Sequence, residues 1–251
     1  MQTIPDFTGK TVLITGGSRG LGYAMAIGFA RAGADVAIAS RKLEACEAAA
    51  AELRRLGRRA SAHAAHVGRW DDCTRLTDEV YAAFGRVDVL INNAGMSPLA
   101  PSSEETSEAL WDKVLSVNLK GPFRLTALIA PRMVASGQGG AVVNISSIAA
   151  IRPTPATAPY AAAKAGLNAL TVALAKEYGP TVRVNCIMAG PFLTDVSRVW
   201  AHSPEFEARK QTIALRRAGN QDEIVGAALY LAGDAASYTT GAVLTVDGGA
   251  S

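Results

Sequence analysis

Short runs of consecutive apolar residues alternate along the chain with longer stretches whose apolar positions recur at helical spacing. The runs Lys10–Thr15, Asp35–Ser40, one ending near His66, Val87–Ile91, Ala141–Ile145, Val182–Ile187 and Ala242–Val246 predict strands. Between them, helices are predicted through Ala24, Ile27, Gly28 and Ala30, then over Leu43–Leu56, Asp71–Phe84, Ser107–Ser136, around Tyr160, and over Asp222–Leu231. Strand–helix alternation of this kind builds a doubly wound α/β domain, with helices on both faces of a parallel sheet of about seven strands. No linker or short repeat interrupts residues 1–251, so one domain is expected. The connection 191–218 is longer than usual and carries Phe192, Val196, Val199, Trp200 and Phe206, which marks it as a substrate-binding loop or lid.

Composition narrows the picture. Hydrophobic residues make up 49% of the 251, enough for one large core. A net charge of +3, dispersed along the chain, gives no footprint for nucleic acid. Cys46, Cys73 and Cys186 have neither metal spacing nor a disulfide pattern, so no metal is expected. No apolar run approaches the roughly 18 residues of a membrane span, and the first residues lack a signal core. A cytoplasmic protein with no membrane partner is expected.

The first strand runs into Gly16-Gly17-Ser18-Arg19-Gly20-Leu21-Gly22 and then into a helix. Glycines at 16, 20 and 22 let the chain turn sharply and bring backbone N–H groups up to a pyrophosphate, with the helix dipole aimed at the same place. This predicts a Rossmann-type dinucleotide site. After the second strand, where an NAD site usually carries an acid for the ribose 2′-OH, the chain has Ser40-Arg41. Asp35 stands at the far end of that strand. Ser40 as a hydrogen-bond donor, with Arg41 and Arg19 as cations, predicts a 2′-phosphate and therefore NADP(H).

Tyr160 and Lys164 lie one helical turn apart in Tyr160-Ala161-Ala162-Ala163-Lys164, so both project from one face. A cation beside a phenol favours the phenolate and suits the tyrosine to acid–base work. Together with the glycine loop, Asn92-Asn93-Ala94-Gly95, Val117-Asn118-Leu119, Ser146-Ser147 and Asp247-Gly248-Gly249, this pair resembles the classical short-chain dehydrogenase/reductase family over nearly the whole chain.

The resemblance implies that Asn118, Ser147, Tyr160 and Lys164 are catalytic; Ser147 is preferred to Ser146 because it precedes Tyr160 by thirteen residues. It implies cofactor contacts from Gly16, Ser18, Arg19, Gly20, Leu21, Gly22, Ser40, Arg41, His66, Val67, Asn93, Ala94, Gly95, Tyr160, Lys164, Gly190 and Thr194. Ser147, Arg152 and Trp200 are the substrate candidates, with Arg198 a further cation for a carboxylate-bearing substrate. The implied chemistry is reduction of a ketone or aldehyde. Tyr160 gives a proton to the carbonyl oxygen, Ser147 holds that oxygen, Lys164 lowers the tyrosine pKa and binds the ribose, and Asn118 holds a water that relays protons.

Two departures stand out. Ala189-Gly190-Pro191 replaces the family's Pro-Gly, and His66-Val67 replaces its Asp-Val. The 3-oxoacyl-carrier-protein reductases are one candidate group. This chain has Gln138 and Pro180-Thr181 where they tend to present basic residues, with Arg132 and Lys176 nearby. An NAD-dependent alcohol or sugar-acid dehydrogenase and a non-catalytic NADP-binding protein are the alternatives. The resemblance also implies a homotetramer.

Overall fold

The computed structural model describes residues 5–195, 197 and 203–250. Its first half comprises β1 (Thr11–Thr15), α1 (Gly20–Arg31), β2 (Asp35–Ser40), α2 (Leu43–Arg55), β3 (Ala60–Ala64), α3 (Trp70–Phe84) and β4 (Val89–Asn92). The second half begins with α4 (Glu108–Leu115), a π-helical turn (Ser116–Lys120), α5 (Gly121–Ala135), β5 (Gly140–Ser147) and α6 (Ala158–Tyr178). It continues with β6 (Val182–Ala189), β7 (Phe192–Leu193), α7 (Pro204–Lys210), β8 (Gly219–Asn220), α8 (Val225–Ala232) and β9 (Val243–Val246).

Seven strands form one parallel sheet in the order β3-β2-β1-β4-β5-β6-β9. Successive side chains of a strand point to opposite faces, and here both faces are covered, which is why the strands read as unbroken apolar runs. Val12, Ile14, Val36, Ile38, Ile91 and Val143 pack on one side with Met25 and Phe29 of α1, Leu53 of α2 and Leu231 of α8. Leu13, Ala37, Leu90 and Val142 pack on the other with Leu76 and Val80 of α3, Leu125 and Ile129 of α5 and Leu174 of α6.

Two elements differ from the sequence expectation. The third strand ends at Ala64 and leaves His66 in the loop beyond it. The single helix expected over Ser107–Ser136 is α4, a π turn and α5 in succession. Pro122 offers no N–H, so the Asn118 carbonyl lacks the donor an α-helix would supply; one wider turn accommodates the break. The long connection is tied at its base, because β7 pairs with β8 in parallel: Phe192 opposite Gly219 and Leu193 opposite Asn220.

Candidate active site

The strand order reverses direction between β1 and β4, and a crevice forms there beyond the carboxyl ends of the strands. The loop after β1 carries Gly16 to Gly22, and the loop after β4 carries Asn93 to Gly95. Asn93 Nδ2 donates to the carbonyls of Thr15 (2.9 Å) and Gly16 (3.2 Å), and Thr15 Oγ1 accepts from the N–H groups of Asn93 and Ala94, both at 3.1 Å. A side chain at Gly22 would place its Cβ 2.3 Å from the Gly16 carbonyl and 2.4 Å from Asn93 Nδ2. Gly16 (φ 65°) and Gly20 (φ 57°) occupy the left-handed region. α1 starts without a side-chain cap or an acid in its first turn, so its N-terminal N–H groups remain free for an anion. This cradle fits a dinucleotide pyrophosphate. Leu21 packs against the core behind it. Thr194, whose backbone N–H donates to Ser197 Oγ at 2.8 Å, lies 3.6 Å from where a Gly20 Cβ would be. Gly190 sits where a Cβ would meet Asp247 at 2.5 Å, and its N–H donates to Val246 at 2.9 Å.

At the end of β2, Ser18 Oγ donates to Ser40 Oγ at 3.0 Å, and Ser40 Oγ lies 3.0 Å from the thiol of Cys46. Arg19 and Arg41 are exposed, and neither guanidinium has an ion pair among the described residues. Two unpaired cations beside two hydroxyls suit a phosphate dianion. Asp35 is remote from them, pairing with Arg59 at the opposite end of the strand. His66 offers its backbone N–H to Asp72 at 2.9 Å and keeps a buried, unpartnered Nδ1, while Val67 is buried.

The residues expected to handle the proton lie on α6 and at the end of β5. Pro159 in the first turn of α6 favours its start, and the turn that follows carries Tyr160 and Lys164. Tyr160 is half-buried with Ser147 near its phenol, and Ser147 Oγ accepts from the Ala149 N–H at 3.2 Å. Ser146 turns the other way: it is buried and donates to the Lys164 carbonyl at 3.1 Å. The geometry therefore separates the adjacent serines, one facing the phenol and one bracing the helix.

Lys164 is 4% exposed; its Nζ donates to the Ile145 carbonyl at 2.7 Å and lies 5.7 Å from the centre of the Tyr160 ring. Burial lowers its pKa to about 8. The sequence reading has Lys164 depressing the Tyr160 pKa. In the structure the direction is upward: burial of the phenol raises it, and the Ser147 hydrogen bond offsets only part of the rise. The ammonium is aimed at a carbonyl rather than at the phenol oxygen, so it does not reverse the effect of burial.

Asn118 is fully buried. Its Nδ2 donates to Met96 (2.9 Å) and Val114 (3.0 Å), and its Oδ1 accepts from the Met96 N–H at 3.1 Å. Both amide protons are spent on backbone, which leaves the side chain as a brace rather than a free donor. Gly95 lets this brace approach the lysine: a Cβ there would lie 2.9 Å from Asn118 Oδ1 and 3.6 Å from Lys164 Nζ.

Arg152 is exposed one turn beyond Ser147, its N–H bonded to the Ile148 carbonyl at 2.8 Å. Trp200 and Arg198 lie outside the described residues. The roles of Thr15 and Cys46 are invisible in a single sequence, where a strand-end threonine and a helical cysteine carry no distinguishing pattern, and the bracing role of Ser146, the serine set aside in favour of Ser147, emerges only from the structure. Among the described residues no cluster of His, Cys, Asp and Glu could hold a metal ion, and no helix is long and apolar enough to cross a membrane.

The family model described as enoyl-(acyl carrier protein) reductase matches residues 16–251. Dehydrogenase/reductase SDR family member 4 of Homo sapiens is 37% identical over 242 residues, covering 96% of this chain and 87% of its own. D-threitol dehydrogenase of Mycolicibacterium smegmatis is 39% identical over 245 residues, covering 96% and 92%. Among solved structures, the NADPH-dependent 3-quinuclidinone reductase of Rhodotorula rubra superposes with a TM-score of 0.91 at 31% identity, covering 100% of this chain and 95% of that one.

Proposed function

Since the chain belongs to the short-chain dehydrogenase/reductase family, an oxidoreductase family that binds a nicotinamide cofactor, we propose that it reduces a ketone or aldehyde to an alcohol with NADPH. The observation that carries this reading is the meeting of Ser147, at the end of β5, with Tyr160 and Lys164, one turn apart on α6. A tyrosine is protonated at neutral pH, burial raises the pKa of this one further, and Tyr160 serves as the general acid of reduction. When bound, the nicotinamide supplies the hydride. Tyr160 gives its proton to the carbonyl oxygen, and Ser147 donates a hydrogen bond to that oxygen as charge develops on it. Lys164 holds the ribose hydroxyls and returns a proton toward Tyr160. The Asn118 carbonyl, without an α-helical donor, is the acceptor for a water on the path from Lys164 to solvent.

The NADP(H) preference is supported by the unpaired Arg19 and Arg41 next to Ser18 and Ser40 in the chain, and by the NADPH dependence of the 3-quinuclidinone reductase that the chain resembles. Tryptophan-fluorescence titration with NADPH and NADH tests it. Arg41→Ala should weaken NADPH binding about 10- to 100-fold, as expected for loss of a hydrogen bond between charged groups, and leave NADH unchanged. Tighter binding of NADH by the unaltered protein would overturn the preference and favour alcohol oxidation, the reading that the D-threitol dehydrogenase relative supports.

The substrate is an apolar or bulky carbonyl compound, a reading supported by the aromatic Phe192 and Phe206 of the connection after β6. Arg152, exposed five residues after Ser147, is the cation that supports a carboxylate-bearing substrate. The carrier-protein reading is less favoured, because Arg132 is held by Asp78 at 2.7 Å and stacked on Tyr81. Three buried free thiols suit a reducing cytoplasm. Exposed Trp111, Phe123 and Val172 support assembly into a homotetramer, so light scattering should give four times the 26.0 kDa chain mass; a monomeric mass would overturn this.

A further inference from the structure

The floor of the predicted 2′-phosphate subsite contains a thiol for which the proposed chemistry has no use. Cys46 lies in α2 with no solvent exposure. Its Sγ is 3.4 Å from the His63 carbonyl and 3.0 Å from Ser40 Oγ. A carbonyl only accepts, so the thiol proton goes to His63. Ser40 must then donate to the sulfur, and it accepts in turn from Ser18 at 3.0 Å. The hydrogens run one way, from Ser18 through Ser40 and Cys46 to the His63 carbonyl. In this relay neither serine keeps a proton for an incoming ligand, and Ser40 presents a lone pair.

We propose that Cys46 is a positioning residue that sets the preference between NADP(H) and NAD(H) by accepting the Ser40 hydroxyl proton. The inference rests on the reading of Ser40 and Arg41 as the 2′-phosphate subsite. A ribose 2′-OH donates to the Ser40 lone pair and leaves the relay intact. A 2′-phosphate only accepts, so Ser40 must turn its proton outward and give up the bond to sulfur. Sulfur is a weak acceptor, which keeps that reversal inexpensive and the subsite open to phosphate. Removing the sulfur leaves the Ser40 proton free to face outward before the ligand arrives.

Fluorescence titration of Cys46→Ala with NADPH and NADH tests the relay. The ratio of the NADH to the NADPH dissociation constant should rise about two- to threefold, the low end of the worth of one hydrogen bond, through tighter NADPH binding alone. Cys46→Val keeps the space filled, so the same rise is expected there if Cys46→Ala does not fold. Adding Cys46→Ala to Ser40→Ala should change nothing further, because the proton that Cys46 holds is gone. A ratio that stays constant in folded variants, or an equal change with and without Ser40, overturns the proposal. If the unaltered protein prefers NADH, the NADP(H) reading fails by itself, and the change in ratio still decides the role of Cys46.

Discussion

Tyr160→Phe should lower kcat for carbonyl reduction by about 10²- to 10⁴-fold, the usual contribution of a positioned general acid, while the Kd for NADPH stays unchanged. The ring remains, so the packing of α6 against the sheet is preserved; only the hydroxyl that meets Ser147 is removed. The carbonyl oxygen then has a hydrogen-bond donor in Ser147 but no group to protonate it. Steady-state rates with a ketone identified by screening, together with fluorescence titration of NADPH, separate the two effects. Near-full turnover in Tyr160→Phe would exclude the phenol as the acid. Loss of NADPH binding would instead make Tyr160 a cofactor contact first.

Lys164→Met should abolish turnover to a similar extent, about 10²- to 10⁴-fold, and yet make the protein more resistant to urea at pH 7. A lysine whose pKa falls from 10.5 to about 8 carries its charge at neutral pH at a cost of roughly 3 kcal/mol. Its charged hydrogen bond to Ile145 returns about 1.5–3 kcal/mol, and methionine loses that bond along with the charge. A net gain of about 1 kcal/mol is expected. The pH dependence gives the sign its test. Between about 8 and 10.5 the unfolded chain holds the lysine proton and the folded protein has released it, so stability of the lysine-bearing protein rises with pH in this window. The advantage of Lys164→Met should therefore be largest below pH 8 and shrink toward pH 10.5. Urea titrations of both proteins at pH 7 and pH 10 measure it; a gap independent of pH would show that Lys164 is not strained by burial.

What could be read from the sequence was whatever depends on spacing along one element. Thr11–Thr15 and Asp35–Ser40 read as strands because both their faces are buried, and Tyr160 and Lys164 share a helix face whatever surrounds them. The glycine loop was legible because only glycine tolerates its backbone and its contact with Asn93. Contacts between elements were not. The aim of Lys164 at the Ile145 carbonyl, which leaves the phenol pKa to burial, depends on how α6 sits on β5. The π turn at Asn118 carries no break in apolar periodicity, although Pro122 was its visible cause. The Ser18–Ser40–Cys46 relay joins three elements whose residues lack any regular spacing.

The switch point between β1 and β4 has a kinetic consequence. Thr15 reaches Asn93 across 78 residues and Thr11 reaches Asp88 across 77, so the nucleotide cradle closes only after a long loop has been brought together. β2, α2, β3 and α3 must be accommodated before that pairing is rewarded, which places this fold among the slower topologies to assemble. A nascent chain released no further than α3 has the glycine loop but no Asn93 to hold it open. Nucleotide binding is thus a late event in the life of the chain, and a ligand seated across β1 and β4 restrains both halves against unfolding at once.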